Sequence, residues 1–197
     1  MRRIDKTDDL VLTALMLGLV CLATFALKVP NPLTQGYVHL GDTFIFMSVL
    51  VLGKKNGAIA SSVGAALADI LGGYVIFAPG TFIAKGLMAF VMGEIVERGH
   101  KREDLLAEES ALKGETWKPT LILSIAPYEF LAMILGGFTE VVIYIFVNAI
   151  VYGNIAVGFM SIPGNIGQFM CSMVVAVLLT HALLKTPAGK YFVFAHR

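Results

Sequence analysis

Asp42, Asp69 and Lys85 lie in a stretch, residues 36–94, that is otherwise almost wholly apolar. Burying charge there is costly, so such residues face a partner or a cavity and mark a site. Two further groups fall at helical spacing. Glu140, Tyr144 and Asn148 recur every fourth residue, and Asn165 and Gln168 are three apart and share a face. The set supplies carboxylates, an ammonium, a phenol and amides, which suits lining a polar ligand pocket. It does not suit bond-breaking chemistry. There is no G-x-x-x-x-G-K-[ST] phosphate loop, no G-x-S-x-G elbow and no H-E-x-x-H pair. The four histidines are far apart, and Cys21 and Cys171 are isolated in apolar runs with neither metal-ligand nor disulfide spacing. No metal or cofactor is expected.

The elements that position these residues must be membrane helices. The chain is 57% hydrophobic and 15% charged, with mean hydropathy +0.78, against about 25% charged for a soluble domain. A net charge of +1 gives no basic field for nucleic acid. The expectation is all-α: residues 1–197 as a single membrane domain of six helices, near 9–27, 42–52, 57–73, 81–98, 120–147 and 163–184. The apolar run after the charged N-terminus lacks an A-x-A cleavage site and reads as a retained first helix. The second helix is short for a span of about 20 residues; it ends at Gly53-Lys54-Lys55-Asn56.

Local roles follow from position. Ala60, Gly64, Ala68 and Gly72 form a small-residue ridge for close helix packing. Ala14 and Gly18 do the same on helix one, either within the molecule or against a partner. Asp42 and Thr81 stand where helix N-caps belong. Asp69 and Lys85 come at similar depth on helices joined by a short loop, so a structural ion pair between them is expected. Pro127 and Gly136-Gly137 are kink candidates in the long run 119–152. Residues 28–41 and 153–161 read as loops, the first dense in hydrogen-bonding groups, and 99–118 as a solvated, partly helical connection.

Six helices place both termini on one side. Thirteen of the fifteen Lys and Arg residues fall on that side, the exceptions being Lys28 opposite and Lys85 in the membrane. The positive-inside rule then makes both termini cytoplasmic. The polar groups near helix ends collect at the outer face, as a capture protein requires.

The motifs GYVHLGDT (36–43), GKKNGAIASSVGAALADILGGY (53–74), APGTFIAKGLMAFVMG (78–93) and IPGNIGQ (162–168), with Ala14-x-x-x-Gly18 in helix one, resemble the substrate-binding S components of energy-coupling factor (ECF) vitamin transporters. They are most similar to the hydroxymethylpyrimidine or pyridoxine branch. The second helix-one position is usually Ala in that family and is Gly18 here. The resemblance implies capture of a B-vitamin or its precursor at the outer face of a bacterial-type plasma membrane, and docking on a membrane scaffold subunit driven by two cytosolic ATPases. Delivery follows by toppling in the membrane. It implies Ala14 and Gly18 as the scaffold contact, and Tyr37, His39, Tyr74, Lys85, Glu140, Tyr144, Asn165 and Gln168 as substrate contacts. The competing reading from the residues alone is a self-sufficient carrier with Asp69, Lys85 and Glu140 as an ion or proton relay. An intramembrane enzyme would need a second catalytic group at fixed spacing, and none is found.

Overall fold

A computed structural model describes residues 6–26, 28–30 and 37–194, without the side chains at 29, 30, 37 and 38. The described elements are α1 (Lys6–Ala26), strands β1 (Lys28–Pro30) and β2 (Tyr37–His39), α2 (Asp42–Leu71), α3 (Ala78–Leu112), α4 (Pro127–Tyr152), α5 (Ile155–Met160) and α6 (Ile162–Leu184), followed by a 3₁₀ turn, Pro187–Tyr191. Among the described residues, five helical stretches are long and apolar enough to cross a membrane: α1, α2, α3, α4, and α5 with α6 taken together.

The Asp42–Leu71 stretch is broken at Gly53, whose φ of 76° and ψ of −175° are open essentially to glycine alone. The chain doubles back there. A Cβ on Gly57 would lie 3.0 Å from the Val49 backbone, a contact that a straight helix cannot make. The expected break between helices two and three is therefore present, but as a one-residue reversal and not as a loop over 53–56. The segment before it is buried nearly all round: Ile45, Phe46 and Val49 are fully enclosed. A helix apolar on every side belongs at the centre of a bundle.

The segment after Gly53 packs on both neighbours. Gly64 presses on Leu17 and Val20 of α1, and Ser62 meets Gly86 of α3, as the small-residue ridge leads one to expect. Glycines 136 and 137 do not kink α4, which runs unbroken from Pro127 to Tyr152. They are close-approach points to two different helices. A Cβ at Gly136 would come within 2.9 Å of the Met88 carbonyl on α3, and one at Gly137 within 2.4 Å of the Phe169 ring on α6. Pro127 takes the first turn of α4, where its missing N–H costs nothing.

Four other expectations are corrected. Helix α4 begins at Pro127, not near 120, because Leu123 and Ser124 adopt positive φ in a tight turn closed by Ile122 and Ile125. Helix α3 runs to Leu112, well past 98, so most of the polar connection is helical. The 153–161 loop contains α5, capped by the Asn154 side chain accepting from the Ala156 N–H at 2.9 Å. The 28–41 loop contains an antiparallel hairpin with Lys28 opposite His39 and Pro30 opposite Tyr37. The fold is thus helical apart from this hairpin among the described residues.

Candidate functional site

The hairpin, the start of α2 and the facing turns of α3, α4 and α6 meet in a buried polar cluster. Lys85 is seven residues into α3, about 10 Å below its start at 1.5 Å per residue. Its ammonium donates to Asp42 Oδ1 at 2.6 Å and to Glu140 Oε1, and all three side chains are fully buried. The Lys85 Nζ also lies 5.6 Å from the centre of the Tyr144 ring, within cation–π range. Two carboxylates and an aromatic face thus surround the three N–H bonds.

Gln168 ties the carboxylates together from α6. Its Nε2 donates to Asp42 Oδ2 at 2.7 Å and to Glu140 Oε1 at 3.0 Å, while its Oε1 accepts the His39 N–H at 3.0 Å. These partners fix the amide's orientation, since the reverse would set a carbonyl oxygen against two carboxylates. His39 Nδ1 accepts the Gly41 N–H at 3.0 Å, so its ring proton belongs on Nε2. Burial pushes the His39 imidazole down to about 3, against the pull of the Asp42 carboxylate, and the ring is neutral at physiological pH. The Tyr144 and Thr81 hydroxyls meet at 2.9 Å, and Asn148 donates to the Tyr144 carbonyl at 2.8 Å.

The two glycines of α4 explain the assembly. Gly136 brings α4 against Met88, one turn beyond Lys85, and Gly137 brings it against Phe169, next to Gln168. Glu140, one turn on, is thereby set between both. One carboxylate oxygen of the cluster is left over. Glu140 Oε1 accepts twice, while Glu140 Oε2 is buried with no hydrogen-bond partner among the described residues. A buried carboxylate oxygen without a donor is costly, and it is what a ligand's N–H or O–H would relieve. The Ser172 hydroxyl, one turn from Gln168, is likewise unpartnered.

Of the residues expected to contact substrate, His39, Lys85, Glu140, Tyr144 and Gln168 come together here. Tyr74 does not: it belongs to a row of rings nearer the helix ends, 6.5 Å from Phe77, which is 6.0 Å from Tyr152. Asn165 bonds back to the Ser161 hydroxyl at 3.4 Å instead of joining the cluster. The backbone of Tyr37 is in β2, but its side chain lies outside the described residues. Ala14 and Gly18 face outward on α1, and nothing lies within 4 Å of a Cβ built on Gly18. Packing within the chain therefore does not occupy them.

Three expectations change. Lys85 pairs with Asp42 and Glu140, not with Asp69, because the reversal at Gly53 puts the start of α2 beside α3. Asp69 is buried at the far end of α2. Asp42 is not a cap: Gly41 occupies the cap position without a side-chain bond, and the carboxylate turns inward. Thr81 likewise lies inside α3 and bonds Tyr144. The signal for Asp42 was its charge in an apolar stretch; cap spacing outweighed it.

The family model for the S component of the ECF-type riboflavin transporter matches residues 4–185. The chain belongs to this family. Members are substrate-binding subunits of transporters and not enzymes, and with the apolar helices this makes the chain a multi-pass membrane protein. The chain is also similar to a protein of Pyrococcus woesei described as an uncharacterized protein in a gap 3' region, 35% identical over 74 residues, 38% of this chain and 49% of that one. The chain thus spans about half the length of this curated relative.

Proposed function

We propose that this chain is the substrate-capture subunit of an ECF-type importer, taking up a small B-vitamin or precursor through the polar cluster. The observation that carries this reading is the buried, donor-free Glu140 Oε2 beside Lys85 and Gln168. The ligand's ring packs on Tyr144, its donor group engages Glu140, and His39 and Gln168 hold its hydroxyls. A compact donor set of this kind suits a single hydroxylated ring, so hydroxymethylpyrimidine and pyridoxine are the first candidates. Riboflavin is the second, on the family's description and on the Tyr74–Phe77–Tyr152 row, which offers stacking surface for a longer ring system.

Counted as two segments, the halves of α2 bring the total to six, an even number that keeps both termini on one side; the positive-inside rule favours the cytoplasm for that side, and the cluster then opens outward. Ala14 and Gly18 are the docking stripe for a membrane scaffold, whose two ATPases supply the work. The alternative relay through Asp69, Lys85 and Glu140 is disfavoured by α3 itself. Beyond Lys85 its buried face is Met88, Ala89, Met92, Gly93 and Val96, which offers a proton no polar step.

The test is ligand content. The chain is purified in detergent from cells grown in rich medium and denatured, and released small molecules are identified by mass spectrometry. Stoichiometric pyridoxine or hydroxymethylpyrimidine supports the first candidates, and riboflavin the second. An empty protein with no thermal shift across a B-vitamin panel refutes capture.

A further inference from the structure

A Ser or Thr inside a helix has a local partner for its hydroxyl, the carbonyl one turn back. Ser48, Ser61, Ser62 and Thr139 take it, at 2.6–2.8 Å. Thr81, 3% exposed on the first turn of α3, does not. Its N–H goes to the Phe77 carbonyl at 2.8 Å, but its hydroxyl crosses to the Tyr144 hydroxyl on α4 at 2.9 Å. The two helices come close enough because residue 80 has no side chain. A Cβ on Gly80 would lie within 2.6 Å of Val147, three residues past Tyr144.

Tyr144 is thereby gripped at two points by one face of α3. Thr81 holds the phenol oxygen, and Lys85, one turn further in, stands 5.6 Å from the ring centre. Its main chain is tied as well, since Asn148 donates to the Tyr144 carbonyl at 2.8 Å. The residue is only half-buried. With its hydroxyl committed to the protein, the ring face is the part of Tyr144 offered to a ligand.

We infer that Thr81 is a positioning residue for substrate capture. It touches no ligand itself and fixes the plane of the Tyr144 ring, against which a flat aromatic ligand stacks. This role rests on the vitamin reading above and narrows it. At Tyr144 the ligand is read by the shape of an aromatic ring, and its polar groups are read at Glu140 and Gln168. A tyrosine without an anchor at its tip samples more ring planes, so the stack forms less often and affinity falls although no ligand contact has been deleted.

The full chain in detergent is titrated calorimetrically with whichever of hydroxymethylpyrimidine, pyridoxine and riboflavin the parent binds, and is melted without ligand. Thr81→Val keeps the shape and removes the hydroxyl. It is expected to weaken binding about fivefold and to lower the melting temperature. Thr81→Ser returns the hydroxyl and is expected to bind like the parent, whereas Tyr144→Phe is expected to match Thr81→Val. The double variant Thr81→Val/Tyr144→Phe strands no hydroxyl, so its melting temperature is expected to recover while its affinity stays at the single-variant value. Affinity that recovers along with the melting temperature would make Thr81 merely structural and overturns the inference. Parent affinity in Thr81→Val, or losses that add in the double variant, overturns it too. Tyr144→Ala separates the role of Thr81 from the reading beneath it. A large loss there with none in Thr81→Val refutes Thr81 alone. Unchanged binding in Tyr144→Ala, or a parent that binds none of the three compounds, refutes the stack and the assignment of Thr81 with it.

Discussion

Two lysines, each held between two carboxylates, mark opposite ends of this molecule. Lys54, just past the Gly53 reversal, reaches Glu94 at 2.6 Å and Glu97 at 3.3 Å, and these side chains are 18%, 33% and 22% exposed. Lys85 meets Asp42 and Glu140 with all three at 0%. The chemistry is the same and the dielectric is not. Around Lys54, water and salt screen the attraction, so the triad is not indispensable. Around Lys85, no charge has water to return to, so the two carboxylates need the ammonium and the ammonium needs at least one carboxylate. The lesson is that the partly exposed triad fastens the Gly53 turn to α3, whereas the buried one leaves a carboxylate oxygen without a donor, which is the basis of the proposed substrate contact.

The sharpest way to break the comparison is to remove each lysine. Lys85→Met strands two buried carboxylates and is expected to destabilise the fold by about 3–5 kcal/mol, read as a large drop in melting temperature in detergent. A small drop would mean that the cluster is better hydrated than its burial indicates. Glu140→Gln keeps the shape and leaves Lys85 its bond to Asp42. It is expected to weaken vitamin binding by about 10–100-fold with little change in melting temperature. Unchanged affinity, measured by isothermal titration, would remove Glu140 from the ligand contacts.

His39 gives a pH test of the buried end. Its imidazole is held down to about 3 in the fold against an ordinary 6.5. Below 6.5 the unfolded chain binds a proton that the folded chain refuses, so stability is full above that value and is lost as pH falls toward 3. The loss between pH 7 and pH 5 is on the order of 1–2 kcal/mol. Melting temperatures of His39→Gln should fall less over that interval, and an equal fall assigns the acid sensitivity elsewhere. Lys54→Ala is the smallest effect: its melting temperature should stay close to that of the parent, and a drop matching Lys85→Met would erase the distinction between the ends.

Much of this was legible in the chain. Hydropathy placed five of the helical stretches, because an apolar run in lipid has to satisfy its own backbone. Gly53 marked the break in α2, and charge in apolar runs singled out Lys85 and Glu140, while Asp42, with the same signal, read as a cap and Asp69 as the partner of Lys85. Charge in an apolar run is informative whatever it touches. Partners were not legible. Asp69 is nearer than Asp42 to Lys85 along the chain, and spacing favoured it. Only the reversal at Gly53, which carries the start of α2 to the middle of the bundle, reversed that order. Likewise Gly136 and Gly137 read equally well as a hinge or as packing points. Met88 and Phe169, far away in sequence, decided for packing.

The sequence by itself determined that this is a helical membrane protein with a polar site toward one end, because composition and hydropathy act residue by residue and need no neighbours. The tertiary structure alone decided which carboxylates hold Lys85, that Asp42 serves the site and caps nothing, and that one oxygen of Glu140 is left without a donor. Those depend on Gly136 and Gly137 letting α4 close on α3 and α6, and on Gly53 returning the start of α2 toward α3, and no local pattern encodes such an approach.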